Sequence, residues 1–423
     1  MMIPLIAAAL ATGLAATTLD LATCLDLARA HAPRLREATA VEDQAAAAAH
    51  EARARRLPTV GFGASYRYTS EVMVQSVALG QFTRRLEFGD GHAADLNFGL
   101  SAPLYTGGEL SGQARAAAAG VDVAAQLTAA TGLDLARDVR VAFYVALGRE
   151  AQAAAADLAV ERLRRHADEI AGAARAGAAS EEARLRAQER LRQAEQRAQQ
   201  RVAARDSAAV ALGRLVGTPT LRVTPAGDLG TSLLAGRDLS LARVAERPDL
   251  AALAREEQRQ SLLADALRGR LWPRVGADLR AHYGRPGVDL IANDWTPYAT
   301  AAVTLDWPLW DDGARSAAAS QVAARARQVA AQRADTADAL AAAHTAARIE
   351  LDAALAAETL AGERVDLARR ILELVAGRLR AAAATESEYL DTQDDLTAAE
   401  TDLALARTRV RLAEAALLWT VGD

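Results

Sequence analysis

The sequence predicts a mainly α-helical chain with a β part, in which long antiparallel coiled-coil helices and four strands are divided between two tandem repeats. Three observations predict it. First, Asp95–Arg115, DLNFGLSAPLYTGGELSGQAR, is answered by Ala299–Arg315, ATAAVTLDWPLWDDGAR. Pro103-Leu104-Tyr105 falls on Pro308-Leu309-Trp310 and Gly107-Gly108 on Asp312-Gly313, an offset of 205 (308 − 103) that also sets Ser180 on Thr385 and Leu212 on Leu417. Second, four segments alternate apolar with polar or small residues, the period of a strand with two unlike faces. Third, from Glu109 to about Ala174 and from Ala314 to about Arg380 no proline interrupts a run of alanine, leucine, arginine and glutamate, so each run reads as one helix on the order of 100 Å long.

In chain order, residues 1–16 (MMIPLIAAALATGLAA) form an apolar run closing in small residues and resemble a secretory signal peptide, without a positive n-region. The first repeat is expected over 17–217. Leu19–Arg56 reads as one helix, interrupted or bent near Pro33 and stopped at Pro58. Within it Cys24 has two readings. Leu21-Ala22-Thr23-Cys24 has the look of a lipoprotein processing box, while the helical spacing of Cys24 with Leu21, Leu25 and Ala28 makes it a small core residue. The first strand sets Val60, Phe62, Ala64, Tyr66 and Tyr68 against Gly61, Gly63, Ser65 and Arg67; after a loop at Ser70–Ala94, the second sets Leu96, Phe98 and Leu100 against Asp95, Asn97, Gly99 and Ser101. The long helix, a tip at Arg175–Glu182 and a return helix complete the repeat.

A connector at 218–238, rich in glycine, proline and threonine, has room for a short strand. The second repeat is expected over 239–423. Arg247-Pro248-Asp249-Leu250 matches Ala32-Pro33-Arg34-Leu35 at an offset of 215 (247 − 32), so ten residues are lost before the next register, in the loop between the strands. Its strands place Val275, Ala277, Leu279, Ala281 and Tyr283 on one face, and Ala299, Ala301, Val303, Leu305 and Trp307 likewise. The tip at Arg380–Glu386 leads to a return helix in which Tyr389, Leu396, Leu403, Val410 and Leu417 recur every seven residues, each of the middle three followed at three by Ala399, Ala406 or Ala413. That heptad with a small-residue row is the pattern of closely packed hairpins.

Composition sets limits. Alanine dominates the 51% of hydrophobic residues and aromatics make up 4%, so a thick globular core is not expected. A net charge of −5 argues against a nucleic-acid surface, and the absence of lysine, every basic side chain being arginine, reads as genome bias. No run is long enough for a membrane-spanning helix, which leaves the strands for any membrane contact. Tyr66, Tyr68, Tyr105, Trp272, Trp307 and Trp310 gather at strand ends, as interfacial girdles do. Four strands cannot close a membrane barrel, so a barrel requires an oligomer. His31, His50, His92, His166, His282 and His344 show no ligand spacing and no Walker lysine exists, so neither metal nor cofactor nor catalysis is expected.

Taken together, the signal-like start, the duplicated helix–strand–strand–helix–helix unit, the turns Pro-Leu-Tyr-Thr-Gly-Gly and Pro-Leu-Trp-Asp-Asp-Gly, Arg-Pro-Asp-Leu at 247–250 and Glu388-Tyr389-Leu390-Asp391 with Gln393 resemble the TolC-like outer-membrane efflux protein family. The resemblance covers almost the whole chain. It implies a homotrimer in the outer membrane of a Gram-negative bacterium, with a twelve-stranded β-barrel and a periplasmic tube of twelve helices. It implies as partners a periplasmic adaptor (membrane fusion) protein and an inner-membrane transporter. Adaptor docking falls on Arg175, Gly177, Ala178 and Ser180 at one tip, and on Ala382, where the family usually has glycine, and Thr385 at the other. Glu388 and Asp391, three apart on one helix face, stand where the family carries an acidic periplasmic gate; a solvated helix face is the plainer reading, and their first-repeat counterparts Ala183 and Arg186 are not acidic. A soluble periplasmic coiled-coil adaptor, or a structural protein without a pore, remains the alternative.

Overall fold

Long proline-free runs need a start signal, a stop signal and a partner face, and the computed structural model shows all three. It describes residues 17–79, 82–88, 90–288, 293–381 and 383–423; the signal-like segment 1–16 and Ala382 lie outside the described residues. In chain order the elements are β1 (Thr17–Leu19), α1 (Leu21–His31), α2 (Pro33–Ala54), β2 (Thr59–Tyr68), β3 (Met73–Leu79), β4 (Phe82–Phe88), β5 (His92–Tyr105), α3 (Glu109–Arg175), α4 (Glu181–Leu215), β6 (Val223–Pro225), α5 (Leu241–Val244), α6 (Pro248–Arg268), β7 (Arg274–Arg285), β8 (Thr296–Asp306), α7 (Ala314–Arg380) and α8 (Glu386–Thr420). Helices α3 and α7 each hold 67 residues, and α4 and α8 each hold 35.

Contacts divide the chain into two units. One, Ala40–Ala125 with Ala252–Arg333, contains a four-stranded antiparallel sheet in the order β2-β5-β7-β8. Each repeat leaves this sheet through a pair of left-handed residues, Gly107 (φ 61) with Gly108 (φ 86) and Asp312 (φ 52) with Gly313 (φ 80). Aspartate tolerates that conformation; glycine at 107 has a further reason, because a Cβ there would lie 2.1 Å from the Gly269 carbonyl oxygen.

The other unit, Met1–Thr39 with Gln126–Ala251 and Ala334–Asp423, holds the helical hairpins. Its largest core gathers Cys24, Ala28, Val139, Phe143, Leu212, Val216 and Val223. Cys24 is fully buried, which pushes its thiol up to about 12, with Asp20 adding to the shift; it is a core residue with little thiolate character. On α8 the heptad residues Leu396, Val410 and Leu417 are buried, and so are Ala399, Ala406 and Ala413 beside them. Close approach is visible at Gly148, where a Cβ would lie 2.1 Å from Thr408 Oγ1.

One expectation is resolved and one needs correction. Of the two alternatives near Pro33 the interruption is present: Ala32 adopts ψ 121, which ends α1 although its N–H still reaches the Ala28 carbonyl. The segment Ser70–Ala94 is not a plain loop. It carries the β3–β4 hairpin, in register from Met73 opposite Phe88 to Leu79 opposite Phe82, and β5 already begins at His92. The extra length of the first repeat is taken up in that hairpin. The short connector strand is present as β6, pairing in parallel with β1, a strand with no period long enough to read.

Candidate functional site

Directly opposed residues in a sheet share a face, so the registers sort every side chain. One face carries the rows Ala64–Leu96–Tyr283, Phe62–Phe98–Ala281–Ala299, Val60–Leu100–Leu279–Ala301 and Ala102–Ala277–Val303. The other carries Ser65–Asp95–Gly284–Thr296, Gly63–Asn97–His282–Tyr298, Gly61–Gly99–Arg280–Thr300 and Thr59–Ser101–Asp278–Ala302. The apolar face is bare: Phe62 is 73% exposed, Val303 72% and Leu305 66%. Such a face costs heavily in water and nothing in hydrocarbon. Aromatic side chains bound it. Tyr66 bonds His92 (Oη to Nδ1 2.6 Å) and Tyr283 stacks on Trp295 at 5.1 Å at one end, while Trp307 donates to the Leu271 carbonyl (3.2 Å) at the other. From Trp295 to Trp307 is about 40 Å along the strand, or about 30 Å in height at the usual barrel tilt, the thickness of a bilayer core.

The polar face is tied together by its own side chains. Arg280 donates to Asp278 (2.7 Å), which also accepts from Ser101 (2.6 Å). Asp95 meets His282 (3.0 Å) and Asn97 (2.8 Å). Among the described residues strands β2 and β8 each pair on one side only, leaving two open edges. No described helix is long and apolar enough to cross a membrane.

The strand-to-helix turns are locked by charges that sequence reading missed. Buried Glu109 takes Arg270 (2.7 Å) and Arg274. Arg315 binds Asp311 (2.5 Å), the Arg270 carbonyl (3.0 Å) and the Pro308 carbonyl (2.7 Å). That guanidinium holds Asp311 below the usual carboxylate range. The Asp-x-x-x-Arg spacing was a signal for half of this; the Arg270 contact, between repeats, had none.

At the first tip, Gly177 (φ 76) closes α3: Ala178 N–H reaches the Ala173 carbonyl (2.8 Å) and Gly177 N–H that of Ala174 (3.0 Å), the glycine-ended helix stop. Ser180 then caps α4 by accepting from Ala183 N–H (3.1 Å). Arg175 bonds back to the Ala171 carbonyl (3.2 Å). At the second tip Thr385 caps α8 with a full capping box: the Glu388 carboxylate accepts Thr385 N–H (2.8 Å) and Thr385 Oγ1 accepts Glu388 N–H (3.2 Å). Asp391 instead faces Arg190 of α4 (3.3 Å), which also holds Asp394 (2.8 Å). Glu388 and Asp391 thus share a helix face but no partner. A tie missed from sequence lies nearby: buried His166 of α3 bonds Glu386 and packs 4.5 Å from the Tyr389 ring.

The outer membrane efflux protein family model matches residues 24–218 and 240–423. The chain belongs to that family. It is an outer-membrane channel for efflux, with a large periplasmic helical part, and the adaptor and poreless alternatives are set aside. Solved structures show the same fold. CusC, described in connection with folding and transmembrane channel formation, is 15% identical over 96% of this chain and 92% of that chain, with a TM-score of 0.81. VceC from Vibrio cholerae is 16% identical over 95% of this chain and 96% of that one, with a TM-score of 0.76. MtrE from Neisseria gonorrhoeae, in its open state, is 17% identical over 95% and 89%, with a TM-score of 0.78. None of the curated proteins matches the chain.

The contacts of Arg-Pro-Asp-Leu at 247–250 give that segment a structural role. Arg247 is 2% exposed and forks onto Asp249 (3.1 and 3.0 Å), while its guanidinium lies 4.5 Å over the Trp419 ring.

Proposed function

We propose that three copies of the chain close a twelve-stranded outer-membrane barrel whose polar face lines the pore, and that the channel serves a tripartite efflux or secretion system. The observation that carries this reading is the four-stranded sheet, bare on its apolar face, bounded by aromatic side chains and open at both edges. In lipid the N–H and C=O groups of β2 and β8 need partners, and identical neighbours supply them without leaving an edge. A second feature supports it: Ile349, Leu360, Leu367, Ile371 and Leu374 form an exposed apolar stripe along α7 that one chain leaves uncovered. Detergent-extracted protein is expected to sediment as a trimer; a stable monomer inserted in bilayers would contradict the assembly.

The hairpin tips receive the periplasmic adaptor, which links the channel to an inner-membrane transporter. Arg175, Gly177, Ala178 and Ser180 form one docking tip, and Ala382 and Thr385 mark the other. Cysteines at Ala178 or Thr385 are expected to crosslink to a cognate adaptor, and one at Ser316 is not; the native Cys24 is buried and stays silent. Crosslinking at Ser316 alone would reverse the docking assignment.

Glu388 and Asp391 form the periplasmic gate, three copies of each in the trimer. Asp391 is already joined by Arg190 of its own chain, whereas Glu388 has no cationic partner among the described residues; converging Glu388 carboxylates repel unless a cation or an arginine joins them, which makes the entrance cation-selective. Because Glu388 also caps α8, the informative variant is Glu388→Gln with Asp391→Asn, which keeps the capping geometry and removes the charge. Single-channel recordings are expected to show weaker cation selectivity and weaker block by divalent ions. Unchanged selectivity and block would leave both acids as helix-surface residues.

A further inference from the structure

Among the described residues, the polar face of the sheet carries one cation that its own chain does not neutralise. Asp278 is matched by Arg280 and Asp95 by His282 and Asn97; Arg285, at the end of β7 in the Tyr66–Ala94 row of the other face, is matched by Asp90 (3.0 Å). Arg67 has no hydrogen bond or ion pair among the described residues, and the register explains why. Opposite it on β5 stands Ala93, and two residues along is Asp95, whose two oxygens are already taken by His282 and Asn97.

Beside Arg67 the face is hollow. A pocket of about 400 Å³ is lined by Ser65, Arg67, Asp95, Gly284, Arg285 and Tyr298 among others. The space exists because β7 has glycine at 284, where a Cβ would sit 3.1 Å from Asp95 Oδ1 and 3.7 Å from the Tyr298 ring. The Tyr298 wall is held in place by stacking on His282 (4.6 Å, 3° between planes). An exposed guanidinium with its donor fork free, at the rim of a pocket with a fixed aromatic wall, matches a carboxylate on a small organic body.

We propose that the Arg67 pocket is a binding waypoint for carboxylate-bearing solutes on their way through the pore, with Arg67 as the residue that selects for the negative charge. The inference rests on the reading above that the polar face lines the pore, and gives that pore a preference near the loop end of its strands. Arg67 and the periplasmic acids then act oppositely at two different places on the solute path.

The test uses the intact channel in planar bilayers, with benzoate as probe and benzamide as its neutral counterpart. Benzoate is expected to reduce the current in a concentration-dependent way and benzamide is not. Arg67→Gln is expected to weaken the benzoate effect at least ten-fold and to move the reversal potential in a salt gradient toward cation preference. Arg280→Gln, which removes a cation already paired with Asp278, is expected to move both much less. Equal benzoate block in wild type and Arg67→Gln would overturn the proposal. Thr304→Cys, on the same face, separates the two levels of failure: a negatively charged methanethiosulfonate reagent is expected to alter its conductance. No alteration would overturn the pore-lining assignment together with the waypoint, whereas an altered conductance with unchanged benzoate block would overturn the waypoint alone.

Discussion

Val303→Arg is expected to destabilise the membrane-inserted channel by about 2–4 kcal/mol, while Thr304→Arg, one residue along the same strand, leaves it nearly intact. Val303 lies in the row Ala102–Ala277–Val303, on the face where apolar side chains stand uncovered, and is itself 72% exposed. An arginine there must place its guanidinium in hydrocarbon or reach for the headgroups from mid-strand, and neither route restores the hydration it had in water. Thr304 points the other way, opposite Gly276, whose missing side chain leaves room: a Cβ on Gly276 would come no nearer than 3.4 Å to Thr304 Oγ1. An arginine at 304 therefore stays in a polar, watered surrounding. Equilibrium denaturation from liposomes measures the difference directly. Similar losses for the two variants would mean that the sheet does not present its faces to lipid and water in this way.

That facing was legible because a strand writes its two environments into alternate letters. Phe62, Phe98, Leu279 and Val303 fall in step with Asn97, Arg280 and Thr304, and register then follows once the strands are adjacent. The long helices were legible for a similar reason: the heptad from Tyr389 to Leu417 and the glycine and threonine at the tips are local signals. The β3–β4 hairpin was not. Apolar residues occur at both parities of β3, as Met73 and Val74 show, and β4 breaks its alternation at Arg84, so no period marks either strand. Pro33 marks a place where the helix is interrupted or bent, and a proline alone does not decide between them; the extended ψ of Ala32 does. For the candidate site, the acids Glu388 and Asp391 are legible by their spacing of three, and so is the capping box, since Thr385-x-x-Glu388 is its local pattern. His166 could not have been paired with Glu386 from sequence, since 220 residues separate them and nothing local to either position points to the other.

Arg247→Ala is expected to cost about 3 kcal/mol of stability, the lower part of the range for breaking a buried charge pair because Asp249 keeps some contact with water. The side chain does three jobs at once. Its fork fixes Asp249, which in turn accepts the Leu250 N–H (3.0 Å) at the start of α6. Its third nitrogen donates to the Trp419 carbonyl near the end of α8. Its plane lies over the Trp419 indole, whose own N–H is anchored on Asp134 (2.7 Å) and whose ring also carries Arg137 at 4.9 Å. Removing it leaves a carbonyl and a carboxylate without their partner inside a cluster of Val244, Leu250, Leu340 and Val421, where water enters poorly. Arg247→Lys keeps the charge but not the planar fork, and is expected to recover less than half of the loss. The control lies four residues upstream: Arg243 pairs with Glu246 at 2.6 Å on an exposed turn, and Arg243→Ala is expected to change stability by no more than about 0.5 kcal/mol. Thermal and denaturant unfolding of the detergent-extracted protein compares the three. A loss at Arg247 no larger than at Arg243 would show that the Arg-Pro-Asp-Leu motif does not hold the last helix against the start of the second repeat.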